Sequence, residues 1–138
     1  KIHWIFCYSL RKEKHIVFNS EHRDIQVSID RTQLIRIITN LIKNAVEACD
    51  SLEKPLIQVN IKMKNKNVII DINDNGVGIP KEIKSKIFEP NFTTKTSGMG
   101  LGLGMVKNLV NSYGGKISFK SKINLGTSFL ITFPISQK

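Results

Sequence analysis

The stretch Asp71-Ile72-Asn73-Asp74-Asn75-Gly76-Val77-Gly78-Ile79-Pro80-Lys81-Glu82 decides how the chain folds. It satisfies the EF-hand calcium-loop pattern, with Asp71, Asn73 and Asn75 as oxygen ligands, Gly76 at the turn and Glu82 at the twelfth place. Such a loop needs an entering helix. The residues leading in, Val68-Ile69-Ile70-Asp71-Ile72, are β-branched and have strand character instead. The eighth position, normally apolar, is Gly78. Calcium is therefore set aside, and the segment is read as a strand ending at Asp74 that turns through Asn75-Gly76. A carboxylate held there by rigid structure can accept a hydrogen bond from an exocyclic amine such as that of adenine. Gly76 and Gly78 would let the backbone pass close to a flat ligand.

Working outward, Ile57 to Met63 and Val68 to Asn73 alternate like two antiparallel strands joined by Lys64-Asn65-Lys66-Asn67. Upstream, Asp30-Arg31-Thr32-Gln33 is a capping-box-like start, with Gln33 reaching back, to a helix running to about Ser51. Leu34, Ile35, Ile38, Leu41, Ile42, Ala45, Val46 and Cys49 form its broad apolar stripe. Ile16-Val17-Phe18 and Ile25 to Ile29 are short strand candidates, and residues 2–12 have helical spacing ahead of Arg11-Lys12. Downstream, Pro80 opens a short helix ending near Phe88, and residues 91–104 form a Thr/Gly-rich loop. Gly102 to Tyr113 reads as a helix closed by Gly114-Gly115. A hairpin, Lys116 to Lys122 and Thr127 to Pro134, turns around Asn124-Leu125-Gly126. The predicted class is α+β. It is an α/β sandwich with a mixed, mostly antiparallel sheet of about five strands, covered on one face by about three helices.

Two further features carry chemistry only weakly when taken alone. Gln33, Arg36, Asn40, Asn44, Glu47 and Ser51 share one face of the long helix. They are either a solvated face or, at Asn40 and Asn44, amide oxygens aimed at a hard cation or polar ligand. Gly98-Met99-Gly100-Leu101-Gly102-Leu103-Gly104 runs into a helix start, where backbone N–H groups and the helix dipole favour anions. It fits neither a G-x-G-x-x-G register nor a Walker loop, so phosphate binding and a flexible connector both stand.

The 138 residues suit a single domain, 1–138, with 21 Lys+Arg against 11 Asp+Glu and a formal net charge of +10. No block of basic residues occurs and Arg is found only at 11, 23, 31 and 36, so the charge reads as a solvated surface or an aid to a phosphate-rich ligand, not as a nucleic-acid grip. Cys7 and Cys49 lie 42 residues apart with no Cys-x-x-Cys pair, as in a reduced cytoplasmic domain. No apolar run reaches the ~18 residues of a membrane helix. The start Lys1-Ile2-His3-Trp4 has neither Met nor a signal-peptide layout. It reads as the interior of something longer, with 1–13 as a remnant of a linker or first helix.

In this order, the segments together resemble the catalytic ATP-binding domain of sensor histidine kinases, within the superfamily shared with gyrase, heat-shock chaperone and mismatch-repair ATPases. Asn40-Leu41-Ile42-Lys43-Asn44-Ala45 looks like the N box, Asp74-Asn75-Gly76-Val77-Gly78-Ile79 like the first glycine box, and Ile87 to Lys95 like the F box. Gly98 to Leu103 is similar to the second glycine box, and Gly126-Thr127-Ser128-Phe129 to the closing Gly-Thr motif. The match covers roughly Asp30 to Pro134.

The resemblance implies ATP and Mg²⁺ as cofactors. Asp74 would receive the adenine amine, supported by Thr127; Asn44 would ligate Mg²⁺, with Asn40 lining the same face one turn earlier. Gly76, Gly78 and Ile79 would floor the base pocket. Residues 91–104 would be a flexible ATP lid, with Gly98, Gly100, Leu101, Gly102 and Leu103 near the phosphates and Phe88 and Phe92 anchoring its near end. Lys43, Lys95 and Lys107 would neutralise phosphate charge. The implied partners are a histidine-containing dimerisation domain of the same parent, which could be membrane-anchored, and a response regulator.

Two departures qualify the implied activity. The hydrolytic relatives place Glu where this chain has Asn40, and an amide cannot take a proton from water. Phosphoryl transfer is thus favoured over the alternative, a hydrolytic ATPase or anti-sigma-type serine kinase. His3, His15 and His22 lack the His-Glu…Pro context of a phosphoacceptor, so this segment would bind ATP without phosphorylating itself. Glu47-Ala48-Cys49 looks closer to nitrogen-regulation-type sensors.

Overall fold

The computed structural model describes residues 16–20, 25, 27–89 and 102–135. Five strands form one mixed sheet: β1 (Ile16–Ser20), β2 (Ile57–Lys64), β3 (Asn67–Asp74), β4 (Lys116–Lys122) and β5 (Gly126–Pro134), in the spatial order β1-β2-β3-β5-β4. Only β1 and β2 pair in parallel, Ile16 opposite Ile57. A parallel pair needs a crossover, and helix α1 (Arg31–Ala48) supplies it. Helix α2 (Gly102–Ser112) packs on α1 and β4.

Local chemistry explains most element boundaries. Asp30 caps α1 by accepting from Thr32 N at 2.7 Å and Gln33 N at 3.4 Å. The expected return bond from Gln33 is not made, because its Oε1 is buried with no hydrogen-bond partner. The cap is therefore one-sided. Asn65 and Lys66 both have positive φ (52° and 64°), the geometry of a two-residue turn whose twist matches the flanking strands. Gly114 (φ 75°) ends α2, with Gly115 N donating to Val110 O at 2.9 Å.

Two expectations need correcting, and a third cannot be compared. Ile25 to Ile29 does not form a strand at its described positions: residues 25 and 27 are irregular and 28–29 are a bend. Ile25 is buried, and Val27 and Ile29 pack against the same core. The alternation reflects burial under the helix layer, not a place in the sheet. After Pro80, the short helix is a 3-10 turn of three residues, Lys81–Ile83, followed by turns to Phe88. The helix proposed for 2–12 lies outside the described residues.

One side of the sheet is apolar. Val59, Ile61, Val68, Ile70, Ile72, Phe129, Ile131 and Phe133 meet Leu34, Ile37, Ile38 and Leu41 of α1 and Val106 and Val110 of α2 in one buried cluster. Burial of this size is the main stabilising term, at roughly 1.5–3 kcal/mol per large side chain. On the opposite side, Lys62, Lys64, Lys116, Lys120 and Lys122 alternate with core positions and are exposed. Much of the positive charge thus sits on the face away from the helices.

Candidate nucleotide site

Asp74 is the last residue of β3, in phase with Val68, Ile70 and Ile72, so it faces the helix layer. The register sets it opposite Thr127 on β5, and Thr127 opposite Ser121 on β4. These three side chains make a polar row across the sheet end. The next row inward is apolar, Ile72–Phe129–Phe119, with the two Phe rings 5.8 Å apart. Gly76 N donates to the Asp74 carboxylate at 2.9 Å. Burial pushes the Asp74 pKa above the usual carboxylate range, while the backbone N–H groups of Gly76 and Thr127 pull it partly back.

The turn after Asp74 is held on both sides. Val77 N donates to Ala48 O at 3.1 Å, and Asn124 N to Val77 O at 2.8 Å. Asn75 staples the turn to the loop before β2, accepting from Leu56 N at 2.9 Å and donating to Lys54 O at 3.0 Å. Its Oδ1 also lies 3.5 Å from the buried Cys49 thiol, whose pKa is raised by burial and then by the Asp74 charge. The glycines have a structural reason that the sequence does not show. A Cβ on Gly76 would lie 2.5 Å from Ala48 O, and one on Gly78 (φ 79°) 2.3 Å from Lys122 O. Both close approaches are to protein backbone. They seat the turn between the end of α1 and the β4–β5 hairpin.

Asn40 and Asn44 lie half-buried on the flank of α1, beside its buried stripe. Gly102 opens α2 against this flank, since a Cβ there would sit 3.1 Å from Asn40 Cγ. Helix α1 thus touches the Asp74 turn through Ala48 and the N-terminus of α2 through Asn40. Eight helical residues cover about 12 Å. The Asp74 turn, Asn44, Asn40 and the first residue of α2 are ordered along that line. Among the described residues no cluster of three His, Cys, Asp or Glu could cage a metal. A single amide oxygen such as Asn44's still fits Mg²⁺, which keeps its waters and binds mainly through phosphates.

The remaining expected residues divide three ways. Phe88 stacks edge-on against Phe119 (5.7 Å) with Lys107 Nζ 5.2 Å above its ring, and Phe88 O lies 3.2 Å from where a Gly104 Cβ would be. Lys107 is thereby engaged at the Phe88 ring. Lys43 is exposed, Ile79 is half-buried and donates its N–H to Ser121 Oγ at 2.7 Å, and Leu103 lies in the first turn of α2. Phe92, Lys95, Gly98, Gly100 and Leu101 lie outside the described residues. Lys120 and Lys122 line a recess with Asp74, Ser121 and Thr127, whereas Lys62, Lys64 and Lys116 lie elsewhere on the strands.

The model of the histidine kinase-, DNA gyrase B- and HSP90-like ATPase family matches residues 29–137. The chain belongs to this family. A domain of this kind binds ATP. Among curated relatives it is 36% identical over 112 residues to the signal transduction histidine-protein kinase AtoS of Escherichia coli K12, covering 81% of this chain and 18% of that protein. Among solved structures, the nucleotide-free catalytic domain of histidine kinase ThkA matches with a TM-score of 0.77 at 34% identity, over 96% of this chain and 87% of that one. The mycobacterial sensor histidine kinase MprB matches with a TM-score of 0.82 at 25% identity, over 99% and 97%. The α+β fold with its mixed five-stranded sheet is the one these catalytic domains share. The chain spans about a fifth of the length of the curated relatives it matches. No described helix is long and apolar enough to cross a membrane.

Two residues of the site escaped the sequence reading. Asn75 was passed over as a turn residue. Ser121 occupies an inward position of β4 after Ile117 and Phe119, where the alternation calls for an apolar side chain. That polar exception was the available signal.

Proposed function

We propose that this chain is the ATP-binding catalytic domain of a two-component sensor histidine kinase. In this reading ATP lies along α1 and its γ-phosphoryl group passes to a histidine on a separate dimerisation domain, and from there to a response regulator. What supports it is that α1 touches the Asp74 turn, opposite Thr127, at its C-terminal end and the N-terminus of α2 at Asn40, one turn before Asn44.

Asp74 accepts from the exocyclic amine of adenine, and its fixed position makes that contact selective. Asn44 supplies an amide oxygen to Mg²⁺, which when bound neutralises charge on the phosphates. The N–H groups opening α2 face the same end and favour the phosphate anion. Asn40, one turn before Asn44, cannot act as a base toward water. The chain's work is then positioning and charge neutralisation for an in-line acceptor. The alternative of a hydrolytic ATPase needs a base at that place. Calorimetry with ATP, with and without Mg²⁺, together with phosphate release by the same sample, tests the reading. Metal-dependent binding with little release is expected, and brisk release with no added acceptor would overturn it.

A further inference from the structure

Ser121 lies outside the residues assigned above, yet it is buried with Thr127, at 8% and 6% exposure. Its hydroxyl has three neighbours. Ile79 N donates to Ser121 Oγ at 2.7 Å, Gly126 O accepts from it at 3.1 Å, and Thr127 Oγ1 lies 2.9 Å away in a pair where either oxygen can donate. A serine hydroxyl has one proton and two acceptor sites. The Ile79 N–H can only donate and the Gly126 carbonyl can only accept. Ser121 therefore spends its proton on Gly126 and one acceptor site on Ile79. The remaining acceptor site faces Thr127, so the Thr127 proton points at Ser121. This arrangement satisfies all three contacts at once, and a buried group left without a partner would cost about 1–3 kcal/mol.

We infer that Ser121 is a positioning residue for base selectivity: it fixes the Thr127 proton and leaves Thr127 Oγ1 as an acceptor beside the Asp74 carboxylate. This rests on the nucleotide site proposed above. Two adjacent acceptors suit a 6-amino purine, whose amine carries two N–H donors, directly or through one water. They reject a 6-oxo purine, whose oxygen needs a donor. The selectivity resides in the direction of one hydroxyl proton. Lys84 Nζ, which donates to Ser121 O at 2.6 Å, and Ile79 N hold the serine from the other side.

Calorimetric affinities of the whole chain for ATP and inosine triphosphate, which differ in the C6 substituent and in the N1 proton that goes with it, test this. Ser121→Ala frees the Thr127 hydroxyl to rotate and donate, so the ATP-to-inosine preference should narrow about ten-fold. Thr127→Val should narrow it similarly, and the double variant no further. Ser121→Thr, which keeps the hydroxyl, should retain the preference. If the alanine variant does not fold, Ser121→Cys replaces it as a near-isosteric side chain with weak hydrogen bonding. An unchanged preference in Ser121→Ala, or losses that multiply in the double variant, would overturn the role. If Asp74→Asn leaves ATP affinity intact, the nucleotide site itself is wrong. If Asp74→Asn abolishes binding while Ser121→Ala keeps the preference, only the Ser121 inference falls.

Discussion

Replacing Asp74 by Asn separates function from stability because the carboxylate is held at a cost. Its pKa is raised mainly by burial, against the Gly76 and Thr127 N–H groups. A carboxylate whose folded pKa lies above its unfolded value contributes less stability as pH rises through that interval, and stays unfavourable above it. Asparagine cannot ionise and can still accept from Gly76 N, now 2.9 Å from Oδ1. The unfolding midpoint of the nucleotide-free variant should therefore equal or exceed that of the parent chain. ATP affinity should fall steeply. A hydrogen bond to a charged group is worth about 1.5–3 kcal/mol, and an amide NH₂ facing the adenine amine adds about 1–3 kcal/mol for an unsatisfied donor. Together that is roughly 100- to 1,000-fold or more in Kd. Calorimetry gives the affinity and thermal denaturation without nucleotide gives the midpoint. An affinity within about three-fold of the parent's, in a variant that melts normally, would refute the assignment.

Three further outcomes follow from the same geometry. Asn44→Ala should change unfolding free energy by less than ~1 kcal/mol, since the residue is half-buried on the α1 flank. It should also remove most of the difference between ATP affinities in Mg²⁺ and in EDTA. Gly78→Ala imposes a side chain at φ 79° with its Cβ 2.3 Å from Lys122 O, and should lower stability by ~2 kcal/mol or more in urea titration. ATP affinity should be flat above neutral pH and decline on acidification as Asp74 takes up its proton. The decline should begin at a higher pH than for an ordinary carboxylate because burial raises its pKa.

Periodicity and turn chemistry made much of this fold legible. The Asp30 cap, the amphipathic α1 and the two hairpins follow from side-chain alternation and local hydrogen bonds that act within a few residues. Ile25, Val27 and Ile29 were misread because burial under a helix layer produces the same alternation as a strand, and only tertiary placement tells them apart. The parallel β1–β2 pairing depends on the crossover by α1, which no local pattern encodes.

Asp74, Asn40, Asn44 and Thr127 could be singled out from sequence because they fall in motifs of recognisable order and spacing. Gly76 and Gly78 are expected from sequence to pass close to a flat ligand, whereas the neighbours observed are the Ala48 and Lys122 carbonyls, contacts made across the chain. Ser121 stayed hidden because its role depends on three partners brought together by strand register and a turn. The charge was uninformative for a related reason. A count of lysines carries no direction, and strand alternation sends five of them to the far face of the sheet.

Phosphoryl transfer itself is the most direct test of the central claim. The chain is incubated with γ-labelled ATP, Mg²⁺ and, supplied in trans, a histidine-bearing helical dimerisation domain of the kind the proposed function requires. The account predicts label on that histidine, acid-labile and base-stable, abolished by Asp74→Asn. Label released only as inorganic phosphate, or histidine labelling undiminished in Asp74→Asn, would contradict it.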